Sequence, residues 1–159
     1  MPVRELVDTW SSIYANSATL RSGISFAHVG ALLGGGGCAV AADLGTLKAW
    51  RKGAESLQFE LRRLHDVHRI VITSLTLVIV SGVLLMAADL DAYLASTAFW
   101  TKMALVCALA ANGAVLLSTC ARAESGDARA AQRLRGVSVA SLVLWFATTL
   151  MGAVLPNVL

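Results

Sequence analysis

The sequence predicts an all-α polytopic membrane protein, a four-transmembrane-helix bundle preceded by an N-terminal interfacial helix. Three observations carry this. Of 159 residues, 57% are hydrophobic and only 14% are charged, with a mean hydropathy of +0.68, whereas an average soluble domain has about 25% charged residues. Four apolar stretches reach the roughly 20 residues that a helix needs to cross a bilayer. Basic and acidic connections alternate between these stretches without exception.

The spans fall at 24–45, 70–88, 100–120 and 136–155. The first contains a single acid, Asp43; the second and fourth carry no charge; the third is uncharged from Met103 onward, with Lys102 at its mouth. Backbone groups in hydrocarbon must be satisfied within their own segment, so each span is expected to be a helix. Residues 24–159 then form one transmembrane domain and residues 1–23 an arm. A chain this short has no polar shell with which to cover four such helices as a soluble core. A cleaved signal peptide is not expected, because Glu5 and Asp8 precede the first span and no small-x-small site follows it.

Lysine and arginine in short connections set orientation. The first connection carries Lys48, Arg51, Lys52, Arg62, Arg63 and Arg69, and the third carries Arg122, Arg129, Arg133 and Arg135. The second has Asp89 and Asp91 and no basic residue. The first and third connections are therefore expected in the cytoplasm of a bacterium, with both termini on the outer, periplasmic side of its inner membrane. Topology accounts for the basic loops without nucleic acid; the expected partners are the lipid bilayer and a membrane protein or a second copy of the chain.

The arm places Val3, Leu6, Val7, Trp10, Ile13 and Tyr14 at helical spacing opposite Arg4, Glu5, Asp8 and Ser11, the pattern of a helix lying in the outer interface. Leu57, Leu61, Leu64 and His68 form a second apolar stripe, which predicts an amphipathic helix running unbroken into the second span. Trp50 and Trp100 stand where inner and outer aromatic belts are expected.

Gly30 and Gly34 form a GxxxG step that Gly37, Ala41 and Gly45 continue, and such tracks let helices approach closely. Four consecutive glycines at 34–37 exceed what one seam needs. They predict close contact with two neighbours at once or, alternatively, room for a flat cofactor or a flexible point in the helix.

Ionisable groups inside a membrane are functional candidates. On the outer side, His28 lies level with Met86, Met103 and Met151, one on each helix, with Cys107 a turn deeper. Imidazole and thioether ligands suit Cu(I), and a His/Met pair suits the iron of haem b. The simpler explanation is methionine as packing filler and His28 bonded to a serine. On the inner side, His65 and His68 share a helical face. Asp43 is expected at the level of His68 and Arg69 and to pair with one of them, because an unpaired carboxylate in hydrocarbon is costly. A proton relay or haem ligation are the alternatives. About 22 Å of helix separates His28 from Asp43, so the two clusters cannot share one haem. Cys38, Cys107 and Cys120 are scattered among apolar residues and do not suggest a disulfide framework. No Walker A, GxGxxG, HExxH or GxSxG motif is present, and no enzyme activity is expected. Asn112 is expected to bond across helices.

The segments FAHVGALLGGGG, the HR that ends the basic loop, SGVLLMAADLDAYL and FWTKMALV resemble small four-helix bacterial inner-membrane proteins. More distantly, the chain is similar to the membrane domains of copper-resistance protein D and its b-type cytochrome relatives. That resemblance implies functional roles for His28, for His68 with Arg69, and for Lys102. The chain is much shorter than those domains and lacks paired histidines on separate helices.

Three classes of function follow. The simplest is a non-catalytic subunit or assembly component of a membrane complex. The second is a copper-handling or haem-containing redox protein using the outer His/Met set, and the third a small proton-coupled carrier using Asp43 and His68. The topology is checked by single cysteines in a cysteine-free background. Ser125→Cys should resist a membrane-impermeant maleimide in intact cells while Asn16→Cys reacts; the reverse pattern would invert the molecule.

Overall fold

The computed structural model describes residues 2–158, without the side chains of Pro2, His65 and Asp66. Among these residues the chain is helical throughout, with no strands. Helix α1 spans Pro2–Asn16, α2 Ala18–Lys52, α3 Ala54–Ala88, α4 Leu90–Ala95, α5 Thr97–Glu124 and α6 Ala128–Val154, followed by a 3₁₀ turn at Leu155–Asn157. Four helical segments are long and apolar enough to cross a membrane: Ala18–Lys52, Val67–Ala88, Thr97–Glu124 and Ala128–Asn157. Each contains one of the four predicted spans. This is compatible with a multi-pass integral membrane protein.

The long helices run alternately up and down. Helix α2 lies along α3 over most of its length, α5 pairs with α6, and α2 and α6 join the two hairpins; α3 and α5 barely touch. The antiparallel register of α2 and α3 can be followed from His28 beside Ser81, through Gly35 facing Ser74, to Gly45 facing Glu60.

Connections at the end that carries the basic residues, here the basic end, are short. Gly53 alone separates α2 from α3, and Gly126 sits between α5 and α6, with φ of +114° and +92°, a region open to glycine at little steric cost. Asp127 then caps α6, its carboxylate accepting from the amides of Arg129 at 2.9 Å and Ala130 at 3.2 Å. The same carboxylate lies 3.7 Å from Arg122. At the other end, the arm end, Ser17 caps α2 and Ser96 caps α5.

Two kinds of interior result. At the basic end, Leu57 and Leu61 of α3 meet Ala49, Ala123, Ala130 and Leu134 in an apolar core, with Leu64 packed against it. The predicted Leu57–Leu61–Leu64 stripe is the inner face of α3, which runs without a break into the second span. Gln58 crosses to the Ala123 carbonyl at 3.0 Å. Along the spans the interior is instead small and polar: Ala31, Gly35, Gly36, Asp43, Thr46, Ser81, Ser138, Ser141 and Thr148. Many of the large apolar side chains there point outward, Phe26 being 79% exposed and Leu33 68%, while Val137, Trp145 and Leu155 turn inward. Contiguous apolar exterior on this scale is unusual for a soluble monomer.

The arm is a helix, as its pattern predicts, and it is docked. Trp10 donates from Nε1 to the Leu84 carbonyl at 2.9 Å, and Ser11 donates to the Ala88 carbonyl at 2.7 Å. Ala88 ends α3, so Ser11 satisfies a carbonyl that the helix leaves unpaired. Arg4 lies 3.7 Å from Asp91. The apolar side of α1 is thus divided: Val7, Trp10 and Tyr14 turn toward the protein, while Val3, Leu6 and Ile13 remain exposed. Burial beside Tyr14 and Asp89 raises the Tyr93 phenol above its ordinary pKa. Trp100 lies on the exterior and donates to the Leu94 carbonyl at 3.0 Å.

The apolar core at the basic end should be where truncation is felt most. Leu61→Ala should lower stability by about 2–5 kcal/mol in detergent unfolding assays, while Leu44→Ala, on the exterior, should change it little. Similar losses at both positions would mean that the core is not organised as described.

Candidate functional site

The candidate site is a polar seam where α2 meets α6. On α6, Ser138, Ser141, Trp145 and Thr148 are buried at steps of three, four and three, so they form one stripe of a helix with 3.6 residues per turn. The facing stripe of α2 holds Gly36 and Asp43. A Cβ added to Gly36 would lie 3.1 Å from Cε3 and Cζ3 of Trp145: the indole sits directly on the glycine backbone. Gly35, next to it, meets α3, where an added Cβ would overlap Cβ of Ser74. The glycine run therefore contacts two neighbours at once, as one of the two expectations held.

The glycines expected to do the packing do not. A Cβ at Gly30, Gly34 or Gly37 would meet nothing within 4 Å. The reason is angular. Gly35 and Gly36 bracket the inward direction, and at 100° per residue Gly34 and Gly37 each point about 150° away from it. The GxxxG spacing is real, but its face is the outer one.

Asp43 is 3% exposed and faces the hydroxyls of Ser141 and Ser138 on α6. The expected pairing with Arg69 or His68 does not occur: among the described residues Asp43 has no cationic partner. Asp43 lies seven residues, two turns, from Gly36 and so shares its α6-facing side. Arg69 stands on the exposed side of α3 and His68 is half-buried. The register of the two helices, with Gly35 facing Ser74 and Gly45 facing Glu60, also puts Asp43 nearer the level of Leu64 than of His68 and Arg69. His65, the other member of that cluster, has its side chain outside the described set. Among the described residues the Thr148 hydroxyl is buried without a hydrogen-bond partner, while the Ser138 hydroxyl, also buried, has Asp43 as its polar neighbour.

At the arm end, Ser81 donates its hydroxyl to the Leu77 carbonyl at 2.6 Å and lies 3.0 Å from Nδ1 of His28. With the hydroxyl proton turned to a backbone carbonyl, the Ser81 oxygen is the acceptor available to a protonated Nδ1, and the Val78 carbonyl is a further acceptor for the ring. This matches the expectation of a serine-bonded histidine. The ring packs on Gly82, where an added Cβ would lie 3.2 Å from Cε1. Lys102 of α5 is half-buried, with Nζ 3.7 Å from where a Cβ at Gly152 of α6 would be, and it lies within electrostatic reach of His28. Lys102 has no carboxylate within 4 Å among the described residues. All four long helices thus contribute to this end: His28, Ser81, Lys102 and Gly152.

The metal set is less convergent. Cys107 is exposed on the outer face of α5, so it does not approach His28. Met86, Met103 and Met151 are half-buried at the arm end. Among the described residues no group of three or more His, Cys, Asp or Glu side chains is placed to hold a metal ion. Asn112 donates to the Val137 carbonyl at 3.2 Å, the interhelical bond expected of it.

Sequence reasoning overlooked the α6 stripe, although its spacing is legible: Ser138, Ser141, Trp145, Thr148 and Gly152 repeat every three or four residues. Uncharged hydroxyls drew less attention than the histidines. No family model, curated protein or solved structure matches the chain.

The seam makes a contrast testable. Gly36→Leu should destabilise by about 1–3 kcal/mol, the usual effect of overpacking, and Trp145→Ala should restore part of the loss. Gly37→Ala should be neutral or gain up to about 1 kcal/mol from helix propensity. Thermal unfolding in detergent reads all three, and a destabilising Gly37→Ala would restore the GxxxG face as a packing surface.

Proposed function

We propose that the chain is a small proton-coupled carrier of the bacterial inner membrane, with Asp43 as its proton-exchanging group and both termini on the periplasmic side. The observation that supports this most directly is Asp43 itself, almost fully enclosed between α2 and α6, without a cation and against hydroxyls. A buried carboxylate paired to arginine would be explained as a structural tie. Facing serines, it has neighbours that can both donate and accept a proton, and the neutral acid is far better tolerated in such a place than an isolated charge.

A further feature fits. Among the described residues the Thr148 hydroxyl, on the same α6 stripe, is buried without a hydrogen-bond partner, and a buried polar group left unsatisfied calls for an explanation such as water or a transported species. Trp145, seated on Gly36, lies on that stripe between Thr148 and the serines that face Asp43.

A second reading, a non-catalytic component of a membrane complex or of a homo-oligomer, is favoured by the exposed Val3, Leu6 and Ile13 of α1 and by the outward glycines of α2. A partner retained at fixed stoichiometry through purification would support it.

The carrier reading is tested in proteoliposomes containing a trapped pH-sensitive dye, with a potassium diffusion potential as the driving force. Wild-type protein should acidify the lumen, Asp43→Glu should retain the flux, and Asp43→Asn should lower it on the order of tenfold or more, as expected when the ionisable group on a proton path is removed. Equal flux through the wild type and Asp43→Asn would overturn it.

A further inference from the structure

A second feature stands outside the seam, on the exterior of the same helix pair at the basic end. Between α2 and α6 lies a groove of about 410 Å³ lined by Leu47, Trp50, Arg51, Arg135 and Val139. An adjoining recess of about 480 Å³ continues along α2 over Leu44 and Leu47 and is edged by Lys48, Arg51 and Lys52. The Arg135 guanidinium lies over the Trp50 ring, 5.0 Å from its centroid. Neither Arg51 nor Arg135 has a carboxylate within 4 Å among the described residues.

We propose that this groove binds one anionic glycerophospholipid, its phosphate held between Arg51 and Arg135 and its acyl chains laid along the exposed apolar surface of α2 and α6. Four points of chemistry support that occupant. Two unpaired guanidiniums on separate helices converge on a single concavity, and guanidinium is the side chain best shaped for bidentate phosphate contact. Stacking on Trp50 holds Arg135 in place before the ligand arrives. The groove sits where the apolar surface gives way to charge, the depth of a headgroup. Above it, Leu44, Val139 and Val143 are all exposed and offer the chains an apolar track on the same side. A soluble anion would find the same guanidiniums but would have no use for that track.

The site belongs to the exterior and does not involve Asp43, so it stands or falls independently of proton coupling. It does require the basic end to lie at a bilayer surface. Its physical consequence is to bridge α2 and α6 across the mouth of the seam, where the two hairpins meet.

The experiment uses full-length protein, delipidated in a neutral detergent and titrated with phosphatidylglycerol, phosphatidylcholine or inorganic phosphate. Native mass spectrometry counts bound lipid and thermal unfolding reads stabilisation. Phosphatidylglycerol should bind one per chain and raise Tm, while phosphatidylcholine and inorganic phosphate should do neither. Arg51→Gln with Arg135→Gln should weaken phosphatidylglycerol binding roughly tenfold or more, in line with the contribution of basic side chains to anionic-lipid attraction. Arg62→Gln with Arg129→Gln removes the same charge away from the groove and should leave binding unchanged. Equal loss in the two double variants would reduce the effect to general surface charge and overturn the proposal. So would equal stabilisation by phosphatidylcholine, or by inorganic phosphate.

Discussion

The contact on which the rest of the molecule depends is the Trp145 indole resting on the bare backbone of Gly36. It joins two helical hairpins that share little else along the spans, since α3 and α5 barely touch. In lipid there is no hydrophobic force to press helices together, because the surroundings are as apolar as the side chains. Association must come from close packing and from hydrogen bonds. A glycine that admits a large flat ring supplies the packing, and it fixes the distance at which Asp43, one face and two turns away, meets the serines of α6.

From that arrangement the division of the interior follows. Where helices extend beyond the apolar spans, the leucines of α3 and α6 gather inward as in a water-soluble protein. Along the spans, most leucines and phenylalanines face outward and the interior is largely glycine, alanine, serine and threonine, with Val137, Trp145 and Leu155 among them. One chain therefore carries two opposite burial patterns on continuous helices, and the change from one to the other falls in the region of Asp43, Thr46 and Leu64. Asp43 is enclosed at this transition, covered by the serines of α6.

The arm end is organised by hydrogen bonds to backbone. Ser11 and Trp10 of α1 bond carbonyls near the end of α3, and Ser81 is held by Leu77 while it positions the His28 ring. These contacts hold the His28 ring against α3. They also explain why α1, amphipathic by composition, presents only part of its apolar surface outward.

The sequence by itself determined the helical class, the four apolar segments, the amphipathic extension of α3 and the small-residue character of α2, because each depends on local periodicity or on composition. It also contained the serine partner of His28 and the bond made by Asn112 as expectations, since buried polar groups in apolar surroundings must find donors or acceptors. Only the tertiary structure decided which side of α2 is inside. Levels along a helix can be counted from sequence, but azimuth depends on which neighbour packs where, and a rotation of 100° exchanges Gly34 for Gly35. For that reason the GxxxG face turned out to be exterior, Asp43 turned from Arg69 to the serines of α6, and Cys107 left the histidine it was expected to join. Depth is a one-dimensional property of the chain, whereas facing is set by the partner.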